Sequence, residues 1–157
     1  MDATRIHLLI THLPVFGIFL GTLVLVFGLI RKDSQVKIVS YAIIVISIVG
    51  GIIAFQTGEG AEHAVEKIAG LSDDAIEEHE ESAELAVWFI YSLGLLSLLA
   101  LYFEVKGKAL AKLFSYVVLA ISVITFYFVA NTASLGGKIR HSEIGKEQPV
   151  QNDERDE

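Results

Sequence analysis

The sequence predicts an all-α integral membrane protein: a four-helix bundle with a short amphipathic external helix between helices 2 and 3. The first supporting observation is four long apolar runs, each bounded by charged residues. The second is that backbone amides in lipid must find their partners within the same segment, which favours helices. The third is that the runs lack the alternating polarity of a membrane β-strand.

The four runs occupy residues 13–30, 36–55, 85–103 and 109–130. Each is close to the ~20 residues that cross ~30 Å of hydrocarbon. Charged side chains occur in them only at Lys37 and Lys112, near two edges. A chain of 157 residues has room for one bundle and no separate soluble domain. We therefore predict a transmembrane domain over residues 1–143 and a disordered acidic tail over residues 144–157.

The first run is expected to remain in the mature protein. The segment before this run, residues 1–6, is short, and no small-residue cleavage site follows a compact apolar core. The sequence therefore predicts an uncleaved first transmembrane helix.

The connection between the second and third runs is predicted to carry structure of its own. Gly58 and Gly60 are expected to interrupt the second helix. Residues 61–69 have apolar side chains at helical spacing, which predicts a short amphipathic helix capped by Gly70. Ser72 precedes two aspartates and can cap free amides, so the third helix is expected to begin there, outside the membrane.

The fourth run is followed by two glycines, Gly136 and Gly137. Because glycine is the usual residue just past a helix end, this pair is predicted to end the fourth helix and to turn the chain. The turn would bring Arg140 and His141 back toward the mouth of the bundle.

The distribution of charge predicts an orientation. The short loops over residues 31–37 and 104–112 are rich in lysine and arginine, whereas residues 59–84 are strongly acidic. Because cationic loops stay on the cytoplasmic side, both termini and the acidic connection are expected outside. In a bacterium, this arrangement corresponds to an inner (cytoplasmic) membrane protein with periplasmic termini.

Composition narrows the function. The absence of cysteine excludes disulfides, thiolate zinc sites, iron–sulfur clusters and covalent c-type haem attachment. The sequence has no nucleophile elbow, no phosphate-binding glycine loop and no ionisable residue at mid-depth of a span. Nothing therefore favours a hydrolase, a transferase or a transporter, and no nucleic-acid partner is expected.

The five histidines all fall near the same ends of the apolar runs, so they are expected at one membrane surface. His79 lies on the apolar stripe of the third helix and should point toward the bundle. His63 shares a helical face with charged side chains and is expected at the surface. Neutral imidazole is the commonest metal ligand in proteins. The candidate ligands of a haem or a metal ion are His7, His12, His79 and His141.

Three cations accompany these candidates. Arg5, Lys138 and Arg140 lie within a few residues of His7 or His141, on a face otherwise rich in acid. Guanidinium and ammonium groups bind carboxylates through charge-assisted hydrogen bonds. We therefore expect these three residues to pair with the propionates of a haem.

Four short motifs, taken in order, resemble those of a known family. They are the stretch over residues 7–14, which contains both N-terminal histidines, residues 57–62, the pair His79-Glu80, and residues 135–141. Over nearly the whole chain, up to about residue 143, the sequence resembles the uncharacterised membrane proteins grouped as domain of unknown function 2231. The family's recurrent histidines match His7, His12, His79 and His141, but not clearly His63. The resemblance implies a likeness to membrane b-type cytochromes and a partnership with a c-type cytochrome or a respiratory complex.

Three hypotheses follow, and a homo-oligomer is compatible with each. In the first, histidine pairs bind haem b at the outer face, and the protein is an electron-transfer or respiratory accessory subunit. In the second, His79 and His141 bind non-haem iron, copper or zinc together with a carboxylate from Glu59, Glu62 or Glu78. In the third, the protein is a cofactor-free structural or assembly protein.

Overall fold

The computed structural model describes the backbone of residues 7, 9–65 and 73–144, and the side chains of residues 7, 9–58, 74 and 76–138. Within these ranges there are four long α-helices: α1 (His12–Arg31), α2 (Ser34–Val65), α3 (Asp73–Val105) and α4 (Ala111–Ile144). A turn closed by a hydrogen bond from Thr11 N to His7 O precedes α1. The all-α prediction is confirmed for this part of the chain.

Each helix contains a segment long and apolar enough to cross a membrane: His12–Arg31, Ser34–Gly58, Ile76–Val105 and Ala111–Lys138. Large apolar side chains cover the outer surface of the bundle, among them Phe16, Phe27, Trp88, Leu95 and Tyr127. Such an extensive apolar exterior is unfavourable in water and favourable against lipid. The predicted number and type of spans are therefore confirmed.

The helices pack in a closed ring in chain order. α1 contacts α2, α2 contacts α3, α3 contacts α4, and α4 returns to α1. Short turns join α1 to α2 and α3 to α4, so each of these pairs is antiparallel. The interior of the ring is filled by apolar side chains that include Ile18, Leu25, Ile44, Leu93 and Val118.

Glycines bring α1 and α2 close together. A Cβ atom at Gly21 would lie 2.6 Å from Ile44 Cγ1, and one at Gly17 would overlap the Ser47 side chain. Small residues at a membrane helix interface allow this close backbone approach and the dispersion contacts that stabilise it. The close approach of α1 to α2 therefore depends on glycines, which have no side chain, on one face of α1.

The turn from α1 to α2 is closed by its own hydrogen bonds. Lys32 adopts a left-handed conformation with φ of 53°, and the amides of Lys32 and Asp33 bond to the carbonyls of Leu29 and Gly28. Asp33 Oδ1 then accepts the amides of Gln35 at 2.9 Å and Val36 at 3.2 Å, which caps the start of α2. We call this end of the bundle, with the turn at residues 106–110, the basic end.

The predicted break after the second span is wrong. α2 continues through Gly58 and Gly60 to Val65, so no separate amphipathic helix begins at residue 61. Interior glycine costs a helix only about 1 kcal/mol relative to alanine, which tertiary packing can offset. The remainder of the predicted short helix, Gly70 and the predicted start at Ser72 lie outside the described residues, and α3 is described from Asp73.

The predicted turn after the fourth span is also wrong. α4 runs through Gly136 and Gly137 to Ile144 without interruption. Neither glycine has a positive φ, so the pair does not form the left-handed cap that the sequence suggested. Both glycines lie at the end of the bundle opposite the basic end. We call it the histidine end because His7 and His79 lie there.

Candidate histidine site

The first imidazole at the histidine end belongs to His7, in the turn before α1. Its Nδ1 atom lies 2.9 Å from the carbonyl oxygen of Ala54 on α2. The hydroxyl of Thr57 is 3.5 Å from the same nitrogen and donates its own hydrogen bond within α2. Because a carbonyl only accepts, His7 Nδ1 carries the proton and donates it to α2.

The second imidazole belongs to His79, near the start of α3. Its Nδ1 atom lies 3.0 Å from the carbonyl oxygen of Thr132 on α4, and the ring is half-buried. The Thr132 hydroxyl is 2.8 Å from that of Ser82, and Asn131 donates a hydrogen bond of 3.1 Å to Ser82. This polar network fixes His79 against α4, in agreement with the side predicted from its helical phase.

Both imidazoles are thus held in the same tautomer. A ring that donates from Nδ1 presents an unprotonated Nε2, whose lone pair can bind a metal or accept a proton. Both rings lie at the histidine end, His7 against α2 and His79 against α4. The histidine end therefore brings two oriented Nε2 atoms into one region.

Each imidazole is seated on a helix in the same way. His7 bonds to the carbonyl of Ala54 and packs beside Gly58, where an added Cβ would lie 3.5 Å from His7 Cε1. His79 bonds to the carbonyl of Thr132 and packs over Gly136, where an added Cβ would lie 3.1 Å from His79 Cε1. A helical side chain covers the turn before it, so glycine four residues on leaves the carbonyl open to an outside donor.

The other candidate residues are either exposed or have side chains outside the described residues. His12, the first residue of α1, is exposed, and its ring centre lies 6.3 Å from that of Phe16. Lys138 is exposed on α4 at the histidine end. The side chains of His63, Arg140 and His141 lie outside the described residues although their backbone is helical, and Arg5 lies outside them entirely.

Carboxylates do not join the two histidines in a multidentate site among the described side chains. No group of three or more histidine, aspartate or glutamate residues in these ranges converges as a metal site would require. Glu78, a candidate carboxylate ligand, is exposed. The other two candidate carboxylates, Glu59 and Glu62, have side chains outside the described residues.

A groove of about 340 Å³, lined by both polar and apolar side chains, lies between α3 and α4 beside this site. Its walls include Glu78, Glu81 and Tyr127, and its polar side is formed by Ser82 and Asn131, which belong to the network behind His79. The hydrogen-bonded network that positions His79 is therefore accessible from the bundle surface.

Sequence reasoning identified the two imidazoles but not their acceptors. Ala54 and Thr132 act through backbone carbonyls, which carry no residue-type signal. A usable signal was present in the spacing, since each acceptor precedes a glycine by four residues. By residue type alone, Gly136 predicts a helix end rather than a contact with an imidazole.

Four apolar helices in a closed ring, with an apolar exterior, define a multi-pass helical membrane protein. Residues 3–145 match the family DUF2231, described as predicted membrane protein, and the chain belongs to this family. No curated protein and no solved structure is similar enough to the chain to count as a match. The family resemblance is confirmed, while the likeness to b-type cytochromes stays a prediction.

Proposed function

We propose that this protein binds haem b at its histidine end, with His7 and His79 as the axial ligands, and serves as an electron-transfer or respiratory accessory subunit. The observation that carries the proposal is the shared tautomer: each Nδ1 donates to a backbone carbonyl, so each Nε2 is free to bind iron. Metal-bound histidines characteristically donate the other ring nitrogen's proton in this way.

The number of histidines favours haem over a non-haem metal ion. One or two protein side chains are enough to ligate haem iron, so a pair of histidines can suffice. A zinc or non-haem iron site takes three or more protein ligands, so it would need further side chains besides His7 and His79. The glycines beneath the rings also fit, because they let each imidazole lie close against its helix with a fixed orientation.

The chain's own residues have separate tasks in this proposal. His7 and His79 would hold the iron, and the carbonyls of Ala54 and Thr132 would fix the orientation of their rings. Lys138, with Arg5 and Arg140, would pair with propionates, as charge complementarity favours. The haem would supply reversible one-electron chemistry. A c-type cytochrome or a respiratory complex is the proposed partner.

The full-length protein, purified in detergent from haem-replete cells, tests this directly. We expect a Soret band and stoichiometric haem in the native protein. We expect loss of that haem in His7→Ala and His79→Ala, because a missing axial bond cannot be replaced by the rest of the site. His63→Ala is expected to retain haem.

Two further variants separate axial ligands from bystanders. The sequence placed His12 and His141 among the ligands, and the exposed ring of His12 makes His12→Ala the sharper comparison. Retention of haem in His12→Ala with loss in His79→Ala supports the His7–His79 pair. Colourless protein that contains stoichiometric iron, copper or zinc would replace haem with a non-haem site. Colourless, metal-free protein would favour the structural or assembly role.

A further inference from the structure

The groove between α3 and α4 changes in character along its length. The two helices are antiparallel, so lower residue numbers on α3 and higher ones on α4 lie nearer the histidine end. At its inner end, the lining is apolar and includes Leu85 on α3 and Phe128 on α4. Toward its outer end, the α3 wall carries the carboxylates of Glu78 and Glu81. The groove therefore joins an apolar section to an acidic one, which suits an amphiphilic ligand.

The groove lies where α3 changes from a charged to an uncharged sequence. Glu84 is the last charged residue before a stretch that contains no further charge until Glu104. Leu85 begins that stretch and lines the inner end of the groove. A charge-free helical stretch of this length belongs in hydrocarbon, and the charged residues before it belong with headgroups and water. The groove thus spans the boundary between these two layers.

Aromatic side chains mark the same level of the bundle. Phe128, which lines the groove, stacks on Phe89 of α3 with ring centres 4.5 Å apart. The residues just before these two, Trp88 and Tyr127, are therefore level with each other, and they are 70% and 67% exposed. Tryptophan and tyrosine are enriched at the interface between membrane and water. Their exposure here indicates that the groove faces lipid at that interface.

Polar groups in the groove are available to a ligand. Among the described side chains, Glu78 and Glu81 form no ion pair and no hydrogen bond with one another or with a neighbour. Asn131 gives one N–H to Ser82, which leaves it a second N–H donor. Carboxylates attract cations, and they bind an ammonium most strongly when its N–H groups can donate to them. The groove therefore favours a cationic group that carries N–H donors.

We propose that this groove binds a phospholipid with a primary-ammonium headgroup, such as phosphatidylethanolamine. The ammonium donates to Glu78 and Glu81, the second N–H of Asn131 donates to a phosphodiester oxygen, and an acyl chain lies along Leu85 and Phe128. A choline headgroup has no N–H to donate, and a phosphatidylglycerol headgroup brings net negative charge to the carboxylates. The groove therefore selects lipids by headgroup, and this selection requires no haem.

The fluorescence of Trp88 tests the proposal, because it is the only tryptophan of the chain and lies three residues from Leu85 on the same helix. The full-length protein in phosphatidylcholine nanodiscs receives a minor fraction of brominated lipid, with the same acyl chains on an ethanolamine, choline or glycerol headgroup. Bromine quenches indole fluorescence on contact. We expect the ethanolamine lipid to be preferred about threefold, the scale of an exposed ion pair. Equal quenching by all three lipids, or strongest quenching by the glycerol lipid, would overturn the proposal.

Two matched double variants assign the preference to the groove. Glu78→Gln with Glu81→Gln should make quenching by the three lipids equal, because neutral amides do not attract the ammonium. Glu77→Gln with Glu80→Gln removes the same charge from exposed positions of α3 outside the groove, and it should keep the preference. Circular dichroism confirms that both variants are helical. A preference that persists in the first variant, or is lost in both, would contradict the assignment.

Discussion

Tyr41 on α2 donates a hydrogen bond of 2.8 Å to the hydroxyl of Ser115 on α4, across the diagonal of the ring of helices. Both side chains are fully buried. This bond joins two helices that are not neighbours in the ring. The pair therefore sets the separation of α2 and α4 near the basic end.

The hydroxyl pair predicts unequal effects of removing either partner. Tyr41→Phe should lower the free energy of unfolding by about 0.5–1.5 kcal/mol, since Ser115 keeps its bond to Ala111. Ser115→Ala should cost more, about 1–3 kcal/mol, because the buried Tyr41 hydroxyl loses its acceptor. Reversible unfolding in mixed micelles measures both. Ser92→Ala, at an exposed hydroxyl, is the control, and equal losses in the two buried variants would contradict the argument.

Adjacent glycines on α4 predict opposite outcomes. Gly137→Ala should raise the free energy of unfolding by about 0.5–1 kcal/mol, because alanine is the better helix former and an added Cβ meets nothing within 4 Å. Gly136→Ala should gain less than this or lose stability, because its Cβ would lie 3.1 Å from His79 Cε1. Thermal unfolding gives the stability difference. The imidazole resonances of His79 should shift in Gly136→Ala only, and a shift in neither variant would contradict the packing described.

The cap of α2 depends on one carboxylate. Asp33→Ala should lower the free energy of unfolding by about 1 kcal/mol, because two amides at the start of α2 lose their acceptor. Asp33→Asn should recover most of the loss, since the amide oxygen can still accept both bonds. The measurement is unfolding in mixed micelles. Equal destabilisation by both substitutions would indicate that the charge, rather than the hydrogen bonds, stabilises this end.

The orientation predicted from the lysines and arginine is testable at two exposed positions. Lys106→Cys at the basic end should be protected from an impermeant thiol reagent in intact cells, and Glu77→Cys at the histidine end should react. Because the native chain has no cysteine, each signal comes from one site. Permeabilised cells should label at both positions. The reverse pattern in intact cells would place the histidine end in the cytoplasm.

Hydropathy was sufficient to predict the spans, because lipid requires long apolar helices whatever their packing. The ends of α2 and α4 were harder to predict from the sequence. Gly58 and Gly136 have the residue type of a break or cap, but each packs against an imidazole, and at Gly136 an added Cβ would crowd the His79 ring. Tertiary contact thus explains these glycines, and local propensity alone could not.

The candidate site was predictable to a similar degree. The helical phase of His79 pointed it inward, and the structure places it against Thr132. The orientation of His7 could not be predicted from helical phase, because His7 lies in a turn before α1 and bonds to a backbone carbonyl of α2. Glu104 lies at the edge of a span, where its residue type does not indicate burial, and its contacts with Lys37 and Ser34 show that it is buried.

The length of α1, compared with that of α3, bears on the depth of the histidine end in a bilayer. Its 20 residues extend about 30 Å, the thickness of the hydrocarbon layer, whereas α3 measures about 39 Å from Val105 back to His79. Measured from the basic end, the part of α3 that reaches His79 is thus roughly 9 Å longer than α1. This extra length favours a position of the His79 imidazole at the level of the headgroups, where a water-soluble partner could reach it without crossing the hydrocarbon core.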